Sequence, residues 1–342
     1  ILRKGSGFIM KKTLLALAIA AVSTSAFAVE TSSQNSKPMF EFEDMHKDQF
    51  SVSGAWGVGG YYDSYSGAFY DDWATGLTLA VSYKNNRWVG YFETDLELNY
   101  SSDEQKVDIQ SGPSTDVDKA WLGFTTDAGV ISLGWENDTA LDKVDGAGDF
   151  TYEFGASAGD ASDGFNVAKF QGATSGIAYG ISVFDTDDNR DKGEMGYNGY
   201  IGVEQEMFNI YAGYEAREDS DYTVTSVSGN VTLDKLKLGL NAWIDDGKVG
   251  VENNTTDLKL TGFYASAGYA LTEQLTLAAG YATNTTESNV TSDIDQSYMN
   301  VAAMYTLSDK IDMGIDIKQE LDSGSSSVDE ETHVFAAAYY YF

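Results

Sequence analysis

The sequence contains no cysteine and only two prolines among 342 residues. Without cysteine there is neither a disulfide nor a thiolate metal site, which excludes small disulfide-stabilised domains and zinc-finger modules. Basic residues are also scarce, with 21 Lys and Arg against 53 Asp and Glu and a formal net charge of −32. Because nucleic-acid affinity depends on basic side chains that neutralise phosphates, this composition excludes a nucleic-acid-binding protein. An acidic surface instead attracts cations.

Long hydrophobic runs are also absent. An apolar stretch at residues 14–22 follows a basic start at residues 10–12, and it is far shorter than the roughly 20 residues of a transmembrane helix. An Ala-Phe-Ala site at residues 26–28 completes the layout of a secretory signal peptide, which we assign to residues 10–28. Residues 1–9 are then upstream or added sequence. A retained N-terminal anchor is the alternative interpretation.

The sequence does contain a strict alternation of apolar and polar residues. In residues 311–318 Ile, Met, Ile and Ile alternate with Asp, Gly, Asp and Lys, and residues 88–99 and 236–246 repeat the pattern. A period of two residues is that of β-strands. Tight-turn sequences such as Asn85-Asn86 and Asp234-Lys235 alternate with longer acidic loops. The sequence therefore predicts many antiparallel strands joined by turns at one end and loops at the other.

About sixteen such strands fit between residues 50 and 342, which predicts an all-β transmembrane antiparallel barrel. Lipid-facing and water-facing residues alternate in such barrels, so the low mean hydropathy of −0.28 is compatible with a membrane protein. A soluble β-sandwich is the alternative. It would bury one face of each strand, whereas Glu93, Asp95 and Glu97 share a face and need water. The barrel is therefore the favoured fold.

Two motifs connect the chain to a known family. The chain ends in Tyr-Tyr-Tyr-Phe at residues 339–342, and its longest loop, residues 139–164, contains Glu153-Phe154-Gly155. With these motifs the mature sequence resembles the trimeric general porins of Gram-negative outer membranes, particularly the OmpU/OmpT-type porins of marine bacteria. Tyr152 and Ala156 replace the Pro and Gly that usually flank the loop motif.

The resemblance has several implications for fold and partners. The third loop would fold into the barrel lumen, and Tyr340 and Phe342 would face outward as the signal for the barrel-assembly machinery. The protein would be a homotrimer in contact with outer-membrane lipid and lipopolysaccharide. Small residues near the first strands, Gly54, Ala55 and Ala68, would suit a flat contact between protomers.

The resemblance also assigns a pore constriction to the third loop. Its members would be Asp142, Asp145, Asp149, Glu153, Phe154, Gly155, Asp160 and Asp163. On the facing wall, the alternation turns Lys119, Lys169, Glu93 and Asp95 toward the lumen. The resemblance implies a water-filled channel for passive diffusion of ions and small hydrophilic solutes, and because acids dominate we expect this channel to prefer cations. A sugar-specific porin and an adhesion or phage-receptor barrel are the alternatives.

Residues 29–49 depart from the family pattern, because family members enter the first strand almost at the mature N terminus. This extension either folds into the lumen as a partial plug or forms a periplasmic tail, and residues 50–342 form the barrel.

Residues that could carry other chemistry are few. The sequence has two histidines, His46 and His333, and neither has a convincing nucleophile arrangement, so we expect no enzymatic activity. Asp185, Asp187 and Asn189 begin like a calcium loop, but Arg190 stands where an EF-hand needs glycine. We expect no cofactor beyond loosely bound Ca²⁺ or Mg²⁺ at the acidic external loops.

Overall fold

The structure is a computed structural model that describes residues 48–342 except 73, 108, 136–137, 159–163, 187–192, 219, 252–253 and 326–328. The described residues form an antiparallel sheet of 17 strands. The strands are β1 (Gln49–Asp63), β2 (Ala68–Asp71), β3 (Gly76–Asn85), β4 (Trp88–Ser101), β5 (Gly112–Thr126), β6 (Gly129–Trp135), β7 (Phe165–Thr174), β8 (Ile177–Asp185), β9 (Met195–Glu204), β10 (Phe208–Arg217), β11 (Thr223–Leu233), β12 (Leu236–Val251), β13 (Asn254–Ala270), β14 (Leu275–Ser288), β15 (Ile294–Ser308), β16 (Ile311–Asp322) and β17 (Thr332–Tyr341).

The sheet closes into a barrel because its first and last strands pair with each other. In the β1–β17 ladder Ala55 is opposite Tyr341 and Asp63 is opposite His333. The backbone N–H of Gly54 also donates to the Phe342 carbonyl at 3.2 Å, and the Phe342 N–H donates to the Gly54 carbonyl at 3.2 Å. The structure thus confirms the predicted barrel, and it has sixteen barrel strands plus one short extra strand.

The extra strand, β2, continues the second barrel strand toward the loop end. β3 pairs with β1 only as far as Gly57, and β2 then pairs with the last three residues of β1. Asp71 stabilises the interruption, since its two carboxylate oxygens accept the N–H groups of Ala74 at 2.7 Å and Thr75 at 2.9 Å. The count of seventeen elements therefore reflects one broken barrel strand.

Tight turns join the strands at one end of the barrel, which we call the turn rim, and the longer connections lie at the loop rim. At the predicted turns, Asn86 and Asp234 have positive φ angles of 58° and 56°. Asn and Asp tolerate this left-handed conformation better than other non-glycine residues, and it suits the two-residue hairpins that the right-handed strand twist favours.

The two faces of the barrel wall have opposite character. Large apolar side chains such as Ile181 and Ile201 are exposed on the outer face, at 64% and 62%, whereas Asn241, Asn300 and Asp316 are almost completely buried inside. This distribution is the reverse of that in a water-soluble protein and matches a barrel whose outer face contacts lipid. No helix among the described residues is long and apolar enough to cross a membrane.

Two residues expected on the outer face lie inside. Ala55 is 5% exposed and lines the lumen, and Ala68 is 1% exposed opposite Asp63. Trp56 and Val58 have the outward positions of this part of β1 instead. The expectation of Ala55 and Ala68 in a protomer contact is therefore wrong, because strict alternation places neighbouring residues 54 and 55 on opposite faces.

Candidate pore constriction

The third loop folds inside the barrel, where it packs against the wall. We call residues 138–164, between β6 and β7, the constriction loop; its short 3₁₀ turn spans Leu141–Lys143. Leu141 and Val144 are buried together with the wall residues Tyr200, Tyr211 and Trp243. The apolar side of the loop thus faces the wall, which leaves its polar side for the lumen.

Glycine permits close contact between the loop and the wall. A Cβ atom on Gly148 would overlap the backbone of Leu240, so no larger residue fits without displacement. Polar wall groups then bind the loop backbone: Asn241 Oδ1 accepts the Gly148 N–H at 2.8 Å, and Ser266 Oγ donates to the Gly148 carbonyl at 2.7 Å. The buried Asn and Ser side chains of β12 and β13 therefore hold the loop backbone in place.

The tip of the loop binds a single wall carboxylate. Three successive backbone N–H groups, from Tyr152, Glu153 and Phe154, donate to Asp316 Oδ2 at 3.2, 2.9 and 3.1 Å. Asn300 Nδ2 also donates to both Asp316 oxygens, at 3.2 and 3.1 Å. Hydrogen bonds to an ionised acceptor are stronger than neutral ones. Asp316 is thus the main anchor of the tip.

Two tyrosines of the wall provide further anchors. The Tyr298 hydroxyl donates to the Phe154 carbonyl at 2.9 Å, and the Tyr61 hydroxyl donates to Glu153 Oε1 at 2.5 Å. The tip therefore lies against the wall between β15 and β1, which includes β16 and β17, and the loop follows the wall from β8 around to β1.

Basic residues lie at the root of the loop. Lys119 Nζ is 2.9 Å from Asp138 Oδ2, and Lys169 Nζ donates to the Asp138 carbonyl oxygen. Both lysines thus contact the beginning of the loop, whereas the sequence interpretation placed them across the pore from its acids. Lys143, within the loop, pairs with Glu204 at 3.0 Å. These three lysines are therefore each held by an oxygen of the protein.

A β-bulge near this root adds a carboxylate that alternation does not predict. The register of β4 and β5 shifts between Glu93 and Thr94, so that Lys119 is opposite Glu93 while Val117 is opposite Thr94. Asp118, the extra residue, is 4% exposed, and Glu93 and Lys119 beside it are buried as well. A bulge brings two successive side chains to the same face. Asp118 is the lumen residue that sequence reasoning missed.

Two carboxylates of the loop, Asp142 and Asp149, lie in surroundings that disfavour their charge. Burial raises the pKa of Asp142 well above its usual range, and the nearby Asp138 and Asp145 raise it further. Burial also raises the pKa of Asp149 to about 6, although hydrogen bonds from Thr151 oppose this shift. Asp149 is therefore expected to change its charge between pH 7 and pH 5.

A water-accessible cavity of about 590 Å³ extends from the constriction loop toward the turn rim. Its lining combines the loop residues Asp149, Tyr152 and Glu153 with Asp95 and Lys237 of the wall. Phe154 and Gly155 follow in the tip, partly exposed. Asp145 is buried beside the root. Asp160 and Asp163 lie outside the described residues.

Three further predicted residues, Tyr340, Phe342 and Asp185, lie at the two rims of the barrel. Tyr340 and Phe342 are 46% and 41% exposed on the outer face at the turn rim, with their rings stacked at 6.4 Å between centroids. Asp185 ends β8, opposite Phe165, at the loop rim. Asp187 and Asn189 are not among the described residues, and neither are residues 29–47 of the N-terminal extension.

Comparisons with known proteins agree with this architecture. The sequence profile of the Gram-negative porin family matches residues 14–325. No curated protein sequence gives a significant match.

Similar solved structures include three porins. In-vitro folded OmpT of Vibrio cholerae in its trimer form has 15% identity and a TM-score of 0.65, with 86% of this chain and 99% of that chain covered. OmpF of Salmonella typhi in complex with daunomycin has 13% identity and a TM-score of 0.66, with 89% and 100% covered. The anion-selective porin of Comamonas acidovorans has 10% identity and a TM-score of 0.63, with 86% and 100% covered. The chain belongs to the Gram-negative porin family and is an outer-membrane β-barrel channel protein.

Proposed function

We propose that this porin is a cation-preferring channel for passive diffusion of ions and small hydrophilic solutes. The observation that carries the proposal is the charge distribution around the constriction loop. Lys119, Lys143 and Lys169 are each bound to an oxygen of the protein. The lining of the lumen cavity contains six carboxylates, among them Asp95, Asp149 and Glu153, against two lysines, Lys235 and Lys237. A narrow passage lined by acids concentrates cations and repels anions.

The fold alone does not determine this preference, since a porin with the same barrel is anion-selective. Selectivity depends on the sign of the charges in the lumen. In this chain the net charge of −32 and the acidic lining have the same sign.

A sugar-specific channel finds less support. Such a channel needs a continuous row of aromatic side chains that a solute can contact. Tyr91 and Trp121 pack against each other with ring centroids 6.1 Å apart, but Tyr211 and Trp243 are 4% and 6% exposed behind the constriction loop. The lumen-facing aromatics therefore do not all reach a passing solute.

We propose a homotrimeric assembly in outer-membrane lipid and lipopolysaccharide. A shallow outward depression near the β1–β17 seam suits a protomer contact, because its side chains include the small Ala303, Ala336 and Ala338. The exposed rings of Tyr340 and Phe342 at the turn rim suit both the membrane interface and recognition by the assembly machinery. Gel mobility of unheated and heated samples tests the assembly: a trimer migrates more slowly before heating, and a single unchanged monomer position contradicts it.

Swelling of proteoliposomes in solutes of similar size and different charge tests the proposed transport. We expect lysine to enter faster than neutral sugars and glutamate to enter slowest, with rates that fall as solute size increases. Preferential uptake of one sugar would indicate a specific porin instead. Absence of uptake, with correctly folded barrels, would favour an adhesion or phage-receptor role.

A further inference from the structure

A carboxylate and three tyrosines meet on the lumen face of β16 and β17, on the turn-rim side of the constriction loop. Asp312 of β16 is directly opposite Tyr339 of β17, and Tyr341 follows on the same face with its ring 6.4 Å from that of Tyr339 between centroids. Tyr152 of the loop lies over the next lumen position of β16, since a Cβ atom on Gly314 would be 2.7 Å from its ring. The three tyrosines and Asp312 all line the lumen cavity, and we call these four residues the vestibule site.

Asp312 supplies a carboxylate that the neighbouring wall does not neutralise. Among the residues that the structure describes, no Lys, Arg or His forms an ion pair with it. Its Oδ1 atom is buried and accepts no hydrogen bond from them. The residue as a whole is partly exposed and lines the cavity, so a solute in the lumen can approach the carboxylate. Because an acceptor without a donor is costly, Asp312 favours a cation that also donates hydrogen bonds.

The wall around Asp312 offers apolar contacts and no competing charge. On the strands from β13 through β17 and on to β1 and β3, Asp312 is the one charged residue among the described residues that line the cavity; the others are small, hydroxyl-bearing or apolar. The two lysines of the lining, Lys235 and Lys237, lie at the start of β12, which is four strands away from β16. Lys237 Nζ is 5.6 Å from the centre of the Phe150 ring, so the cavity already holds one ammonium group against an aromatic ring.

We propose that the vestibule site binds small organic ammonium ions that carry an apolar substituent. The ammonium group lies at Asp312, which accepts its N–H groups, and the substituent contacts the three tyrosine rings. Aromatic rings bury apolar carbon and also attract cations within about 6 Å of their centres. An alkali ion has no apolar part to bury, and a neutral aromatic solute has no charge for the carboxylate. The site therefore distinguishes organic ammonium ions from both.

Such binding is distinct from the ion selectivity of the channel. Selectivity follows from all the charges along the lumen, whereas the vestibule site consists of four residues on one side of it. A channel that prefers anions in KCl can still bind an ammonium ion at Asp312, and a cation-preferring channel can lack the site. The two proposals therefore fail in different experiments.

Fluorine NMR of 4-fluorobenzylammonium with the folded protein in detergent micelles measures this binding, with empty micelles of the same detergent as the blank. We expect saturable broadening of the probe signal, and at least about tenfold weaker binding in Asp312→Asn, which keeps the size of the side chain and removes its charge. Asp95→Asn removes a carboxylate of the same cavity on β4, three strands from β17. Because water and salt screen this more distant charge, it should weaken binding by no more than about threefold.

Tyr341 provides a matched pair of variants for the aromatic contact. Tyr341→Leu removes the ring and should weaken binding at least about threefold, whereas Tyr341→Phe removes only the hydroxyl and should recover most of the affinity. The neutral 4-fluorobenzyl alcohol tests the charge without any substitution. It should bind the wild type at least about tenfold more weakly than the ammonium probe does, because it lacks the charge that Asp312 attracts.

Equal losses of affinity in Asp312→Asn and Asp95→Asn would overturn the proposal, because they would indicate a diffuse attraction by the acidic cavity. Absence of saturable binding, wild-type binding in Asp312→Asn, equal losses in the two Tyr341 variants, or equal affinity for the ammonium and alcohol probes would overturn it as well.

Block of the wild-type current in planar bilayers is a second measurement that needs no variant. At voltages that drive cations into the pore, 4-fluorobenzylammonium should reduce the current at a lower concentration from the turn-rim side than from the loop-rim side. The reason is that the constriction loop separates the vestibule site from the loop rim. Equal potency from both sides would refute the site even if every variant failed to fold.

Discussion

Replacing Asp316 should release the tip of the constriction loop. In Asp316→Ala the N–H groups of Tyr152, Glu153 and Phe154 lose their common acceptor. If the tip stayed in place, three unsatisfied donors would cost about 1–3 kcal/mol each, or about 3–9 kcal/mol together. Of the two remaining tyrosine anchors, the bond from Tyr298 to the Phe154 carbonyl contributes about 0.5–1.5 kcal/mol and the bond from Tyr61 to the Glu153 carboxylate about 1.5–3 kcal/mol. Since the cost exceeds what the anchors provide, the tip should leave the wall and find water in the lumen.

Asp316→Asn should have a smaller effect, because the amide keeps one acceptor oxygen but loses the charge that strengthens the bonds. Asp312→Asn is the matched control: it makes the same change on the same strand, at a residue that lines the cavity, while the tip binds Asp316. Tip release should therefore be greatest in Asp316→Ala and smaller in Asp316→Asn. In the control, Asp312→Asn, the tip should stay bound as in the wild type.

Single-channel recordings in planar bilayers and hydrogen exchange measure this release. In Asp316→Ala we expect altered conductance with more frequent current fluctuations, and faster exchange of the amides of residues 152–154. The control should match the wild type in the amide exchange of residues 152–154 and in the frequency of current fluctuations. If Asp316→Ala keeps wild-type conductance and wild-type amide protection, the assignment of Asp316 as the main anchor is wrong.

Three further predictions concern other residues of the loop and the chain end. Gly148→Ala should displace the loop, since the added Cβ overlaps the Leu240 backbone, and the change should appear as altered conductance without loss of the folded barrel. Cation preference should fall as the pH drops through about 6, because Asp149 then gains a proton and loses its negative charge; Asp149→Asn should remove this step in the pH profile of the reversal potential. Deleting Phe342 should lower the yield of assembled barrel in the outer membrane, measured by gel mobility, whereas an equal yield would contradict the assembly role.

The barrel could be predicted from the sequence because each strand repeats a period of two residues that does not depend on distant contacts. The same rule failed at Asp118, where a bulge brings two successive side chains to one face. Neither the bulge nor the interruption of the second barrel strand has a periodic signal. Short departures from regular pairing are therefore visible only in the structure.

The candidate site was predictable only in part. The motif Glu153-Phe154-Gly155 indicated which loop enters the lumen, but not the wall residue that holds it. Asp316 looked like any other polar residue of an alternating strand, and its role depends on a contact over more than 160 positions in the chain. Likewise, the alternation correctly placed Lys119 and Lys169 on the lumen face of the wall. It could not show that they contact the root of the constriction loop rather than its tip.

The reversal potential across a bilayer that separates concentrated from dilute KCl tests cation preference most directly. Cations should cross faster than anions, so the dilute side should become positive, and Glu153→Gln combined with Asp149→Asn should reduce the potential toward zero. These two carboxylates line the cavity beside the constriction loop. A dilute side that becomes negative in the wild type would contradict the proposed selectivity.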